Sequence, residues 1–157
     1  MMGNELCING ILAFTSTLQK SGKLYTSGIA RPIEYQNANL TCINLQINYS
    51  RPETNIINLE GIGFYISNTQ VVPNLEKFAK KYNQPAFGFI YYKNSQIFPT
   101  IFVKETNSLI SESACGSGSI AFNIFSGLNK IVQPTGEIIT VEFKNKLTYI
   151  SAKVQEV

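Results

Sequence analysis

The sequence predicts an α+β protein made of two related halves, and three observations carry that expectation. Cys7-Ile-Asn-Gly-Ile-Leu-Ala-Phe14 and Cys115-Gly-Ser-Gly-Ser-Ile-Ala-Phe122 share Cys, Gly, Ala and Phe at identical offsets. Each copy then runs for about a helix length to a glycine, Gly22 or Gly127. Each is followed by β-rich sequence, so a cysteine-led helix opens each half. The expected division is a partial N-terminal lobe over residues 1–52 and a C-terminal lobe over 53–157, with the last strand able to return to the first lobe.

Taken in order, Met1 to Glu5 is too short for an element and runs straight into Cys7. Ile11, Leu12, Phe14 and Leu18 recur at near-helical spacing, and Ser21-Gly22 is expected to end that helix. Strands follow at Lys23 to Thr26, at Ile29 to Gln36 with Pro32 suggesting an edge, and at Asn39 to Tyr49 with Cys42 inside as a small hydrophobe. Ser50-Arg-Pro-Glu-Thr54 reads as a turn or linker at the lobe boundary. A strand over Ile56 to Ser67 is interrupted by Gly61 and Gly63, which mark a bulge or a close approach of backbone to a ligand.

Pro73 then stands where a first helical residue would, and Leu75, Phe78, Ala79 and Tyr82 line one face. Glu76, Lys77, Lys80 and Lys81 form the opposite, solvated face. Phe87 to Tyr92 and Gln96 to Lys104 read as a hairpin through Lys93-Asn-Ser95. A polar loop, Glu105 to Ala114, leads into the second cysteine; its Glu105 and Glu112 could polarise a substrate or a thiol, though as loop carboxylates they are expected to be solvated. After the second helix, Gln133-Pro-Thr-Gly136 is a turn, and Ile138 to Phe143 and Leu147 to Val154 close the chain as strands.

Composition bounds the function. The chain of 157 residues is 44% hydrophobic, enough for a sizeable core. Its net charge of +3 is spread thinly, with Lys80-Lys81 the one adjacent basic pair, so no phosphate-tracking surface is marked and no nucleic-acid partner is expected. No apolar run reaches spanning length and the N-terminus lacks the pattern of a secretory signal, so a cytoplasmic protein without a membrane partner is expected. The sequence contains no His, Asp or Trp. Ser-His-Asp and Cys-His catalysis are thereby excluded in any ordinary form. Three cysteines without a CxxC pair leave neither a zinc knuckle nor a thiol–disulfide motif, so neither metal nor cofactor is expected and the thiols are free.

Two cysteines at helix N-termini suit proton transfer. A thiol pKa of about 8.5 falls toward neutrality there, so one of a pair can be thiolate and the other thiol. If the two loops face across a cleft, one sulfur can take a proton from a carbon while the other delivers one to the opposite face. Helix N–H groups would hold the substrate carboxylate.

Glu5-Leu-Cys-Ile-Asn-Gly10 and Ser113-Ala-Cys-Gly-Ser-Gly118 resemble the two cysteine motifs of the diaminopimelate epimerase-like superfamily of cofactor-independent amino-acid racemases and epimerases. The resemblance covers nearly the whole chain. It implies two pseudo-symmetric lobes, each a β-sheet wrapped round a central helix, with the active site between them. It implies Cys7 and Cys115 as the catalytic acid–base pair, and backbone at Ile8, Asn9, Gly10, Gly116, Ser117 and Gly118 as substrate-binding. The implied partner is a small amino-acid substrate.

The chain departs from that pattern in four places. Ile8 stands where the family usually has Gly. Only six residues precede Cys7, so the first lobe is expected to be N-terminally truncated, with a homodimer or a missing segment covering it. Phe64 takes the place of a histidine often found near the pair. Glu105-Thr-Asn107 replaces a Glu-Arg pair, which disfavours a dicarboxylic diamino acid as substrate. The alternatives are an inactive or incomplete relative acting as a binding or assembly module, or a diaminopimelate epimerase proper.

Overall fold

The computed structural model describes residues 7–154. Glu5 and Leu6 of the first motif, and the rest of the stretch before Cys7, lie outside the described residues. Helix α1 spans Ile8–Ser16. It ends earlier than its periodicity suggests because hydroxyls compete for its last carbonyls: Thr15 Oγ1 donates to Ile11 O at 2.8 Å and Ser16 Oγ to Ala13 O at 2.7 Å. Asn37 Nδ2 completes the stop by donating to Thr15 O at 2.5 Å. Ser21-Gly22, expected to close the helix, instead opens β1.

Strands β1 (Ser21–Thr26), β2 (Ile29–Asn37) and β3 (Thr41–Leu45) form an antiparallel meander. Here the reading of Pro32 as an edge residue fails, since β2 lies between β1 and β3. Pro32 is tolerated because the β1–β2 register shifts between Leu24 and Thr26 and its pairing with β3 begins only at Glu34. The expected linker at Ser50–Thr54 is likewise overturned. Tyr49–Glu53 is strand β4, exposed throughout and at the end of the sheet, where Pro52 costs no interior ladder bond.

Strands β5 (Ile56–Leu59) and β6 (Ile62–Ser67) are a tight hairpin. Gly61 adopts φ 79° in its turn, while Gly63 is approached by a protein side chain and not a ligand: a Cβ there would lie 2.3 Å from Phe87 Cε2. Helix α2 (Leu75–Lys81), N-capped by Asn74, carries the chain across to β7 (Ala86–Lys93), which pairs parallel with β6. Its charged face is solvated as expected, with Glu76 on Lys80 and Glu53 on Lys81.

Strand β8 (Gln96–Val103) returns antiparallel to β7. The loop expected before Cys115 contains a further strand, β9 (Ser108–Ser111), on the flank of β8. Helix α3 (Gly116–Ser126) ends at Gly127 in the left-handed conformation, φ 77°. Strands β10 (Lys130–Val132), β11 (Ile138–Lys144) and β12 (Leu147–Ala152) complete the chain, and β12 inserts between β11 and β3.

The result is one hydrogen-bonded path, β1-β2-β3-β12-β11-β10-β8-β7-β6-β5-β4, with β9 beside β8. A single residue pair, Val132 with Gln96, joins its two stretches. Helices α1 and α3 share one inner core, in which Ile8, Ile43, Phe64, Ile120, Phe122 and Ile150 are essentially inaccessible. A second cluster on the opposite face seats α2 through Leu75 and Ala79 on Ile56, Phe87, Phe89 and Phe102. Burial on both faces explains why β7 reads as an almost unbroken apolar run.

Candidate functional site

Each cysteine of the repeat is the N-cap of a helix. Cys7 caps α1, its carbonyl accepting from Ile11 N at 3.2 Å, and its sulfur makes no cap hydrogen bond. Cys115 caps α3 with extended backbone, φ −144°; its carbonyl accepts from Ser119 N at 2.9 Å and its Sγ from Gly118 N at 3.2 Å. Gln133 fixes the loop from the other side: its Oε1 accepts from Cys115 N at 2.8 Å and its Nε2 donates to Ser119 Oγ at 3.0 Å. The Gln133 to Gly136 turn thus serves as a brace for the second cysteine.

The two helix starts abut. Asn9 Oδ1 accepts from Gly116 N at 2.6 Å while Asn9 Nδ2 donates to Ala114 O, so one amide side chain bridges both N-termini. Gly116 permits this contact, because a Cβ at that position would lie 2.2 Å from Ile8 Cγ2. Ile8, which stands where the resemblance calls for glycine, is therefore matched by a glycine opposite.

Beside this junction lies a cavity of about 110 Å³ lined by both Cys7 and Cys115. Ile8, Asn9 and Ser117 also line it; Gly10, Gly116 and Gly118 do not. The Gly116 and Gly118 amides are already engaged by Asn9 Oδ1 and Cys115 Sγ. The remaining wall is apolar, from Ile62 of β6, Ile101 and Val103 of β8 and Ile110 of β9, with one carboxylate, Glu112. Phe64 is buried in the core and Cys42 sits within β3 opposite Ser151; neither lines the cavity. Glu105 lines a separate, shallower hollow with Asn83, Gln84, Pro85 and Lys104.

Glu112 corrects the expectation of a solvated loop carboxylate. Because β9 continues its pairing through Glu112 N to Pro99 O at 3.0 Å, alternation turns Ile110 and Glu112 to the same side. The Glu112 carboxyl faces the Cys115 thiol, and Oε2 is buried without a full hydrogen-bond partner among the described residues. Burial raises its pKa above the usual carboxylate range, partly opposed by Cys115.

The electrostatics of Cys115 also reverse the simple helix-dipole expectation. Burial first, then the neighbouring Glu112 carboxylate, push the thiol well above its ordinary pKa, against the Ser117 hydroxyl and the Gly118 N–H. In the resting site Cys115 is thus a thiol. All three cysteines, Cys7, Cys42 and Cys115, are free. Among the described residues no helix is long and apolar enough to cross a membrane.

A phenazine-biosynthesis PhzC/PhzF-type structure from Clostridium difficile strain 630 superimposes with a TM-score of 0.56 at 16% identity, covering 98% of this chain and 74% of that one. A PhzF-family structure from Enterococcus faecalis gives 0.56 at 11% identity, covering 95% and 70%. The α+β fold is therefore like that of the two PhzF-type structures. In sequence, the chain is 25% identical to a histidine racemase of Fusobacterium nucleatum strain ATCC 25586, over 99% of this chain and 73% of the relative. A histidine racemase of strain ATCC 23726 is 24% identical, over 99% and 74%. No protein-family model matches the chain.

Proposed function

We propose that the chain is a cofactor-independent amino-acid racemase or epimerase in which Cys7 and Cys115 are the acid–base pair. The observation that carries this reading is the placement of two helix-capping thiols on the wall of one small cavity. The racemase relatives support an enzyme of the isomerase class.

In the resting site Cys115, held as thiol, donates the proton, and Cys7, half-exposed and without a cap bond on its sulfur, accepts one from the substrate Cα. The reverse reaction exchanges these roles. The start of α1 at Ile8 and Asn9, together with Ser117, offers the α-carboxylate a helix N-terminus and a hydroxyl, and stabilises the charge that builds on the substrate. In this reading β1–β3 with β10–β12 form the sheet of the Cys7 lobe and β4–β9 that of the Cys115 lobe, so three strands and not only the last return to the first lobe, and the division falls before β4 instead of at residue 52. Free thiols used as acid and base fit a reducing, cytoplasmic setting.

Solvent deuterium entering the α-carbon of one or more amino acids, with histidine and small apolar residues in the panel, is the expected result. No exchange into any of them by a demonstrably folded chain refutes the proposal. The shared cavity favours catalysis over a purely assembling role.

A further inference from the structure

We propose that the substrate is an α-amino acid with a small aliphatic side chain, the size of alanine's or α-aminobutyrate's, selected by the wall that Ile62, Ile101, Val103 and Ile110 give the two-cysteine cavity. The inference rests on the racemase reading and deepens it by naming the substrate class of that same site.

The wall comes from the sheet. Ile101 on β8 pairs directly with Ile110 on β9, so both side chains stand on one face, and Val103, two residues on, stands beside them. Ile62 of β6 completes it. Gly88 of β7, opposite Ile101, leaves the space this packing needs: a Cβ there would lie 2.7 Å from Ile101 Cδ1. Ile62, Ile101 and Val103 belong to the main core, so packed side chains back the wall and hold its shape. Ile110, 43% exposed, forms the rim.

The polar groups come from elsewhere: Cys7 and Asn9 at the start of α1, Cys115 and Ser117 at the start of α3, and Glu112. With Cα between the sulfurs and the carboxylate at the start of α1, the substrate side chain is left with the isoleucines. Among the described residues no Lys or Arg lines the cavity, so an acidic side chain finds no counter-ion. Glu112 is the single carboxylate there, and the α-ammonium claims it, which leaves the second cation of lysine or arginine unpaired against apolar surface. The wall carries no ring to stack on an imidazole and no side chain to hydrogen-bond it.

Size points the same way. An apolar cavity of about 150 Å³ takes benzene. At about 110 Å³ this one takes a smaller ligand, whereas histidine brings a ring nearly as large as benzene in addition to its Cα and carboxylate. The selectivity therefore departs from that of the relatives named for histidine.

Two measurements test this, and the first needs no turnover. In the wild-type chain with isotope-labelled isoleucine δ1 methyls, alanine and α-aminobutyrate should shift the NMR signals of Ile62, Ile101 and Ile110. Histidine, glutamate and lysine at the same concentration should leave them in place. Equal shifts from histidine overturn the proposal, as does the absence of any shift from alanine. The second is kinetic: exchange of solvent deuterium into Cα should show a kcat/KM at least about tenfold higher for alanine than for histidine, and the reverse order overturns the proposal. Ile110→Ala, at the rim and outside the core, should move the alanine-to-valine preference toward valine by about tenfold. An unchanged ratio overturns the assignment of selectivity to this wall. A chain whose isoleucines respond to alanine, yet which exchanges no amino acid, refutes the racemase reading alone and leaves the ligand class standing.

Discussion

A sulfur that caps a helix and also lines a cavity has two jobs, and substitutions at Cys115 separate them. Cys115→Ser keeps a cap acceptor for Gly118 N and should lose turnover by at least about a thousandfold with little change in chemical-denaturation midpoint. Cys115→Ala removes the cap too, and should cost about 1–2 kcal/mol. Cys115 is 2% exposed, so its side chain also belongs to the core. Asn9 is the other key residue: Asn9→Ala strips both partners from the α1–α3 junction and should cost about 1–3 kcal/mol by the same measurement. The two cysteines were legible because their motif repeats. Glu112 was legible only as one of two loop carboxylates able to polarise a thiol, since a Ser-rich stretch reads as solvated loop; the Ile110/Glu112 alternation hinted at a strand aimed into the site.

Among the elements, the α1–α3 contact admits a sharper test. Gly116→Ala should destabilise by about 1–3 kcal/mol because the new methyl meets Ile8, and Ile8→Ala in the same chain should recover part of that loss. Additive losses in the double variant would show that the two positions do not share that space. Helices and hairpins with clean periodicity, such as α2 and the β7–β8 pair, were readable from spacing. The elements that escaped are those whose local chemistry contradicts their setting. Pro52 disguises β4, an edge strand where proline is harmless, and β10 is only three residues long. The end of α1 was misjudged because its closing hydroxyls look like ordinary polar helix residues.

At the scale of the molecule, the buried Cys115 ties stability to pH. Its folded pKa is raised, so the native state holds the proton more tightly than the unfolded chain. Stability from this group is complete below the ordinary thiol pKa and drains away as pH rises through the folded value. Denaturant midpoints should therefore fall above about pH 8.5, and Cys115→Ser should flatten that decline.

The lone Val132–Gln96 pair has a different consequence. So thin a seam in the backbone ladder transmits little, and the coupling between the two stretches of sheet must run through the side chains that both helices bury in common. Melting should be a single cooperative event, with slow amide exchange in β3 and in β6 lost together when Phe122 is shortened to alanine. A protein stitched along its ladder would instead unravel piecemeal; this one holds or fails by its hub.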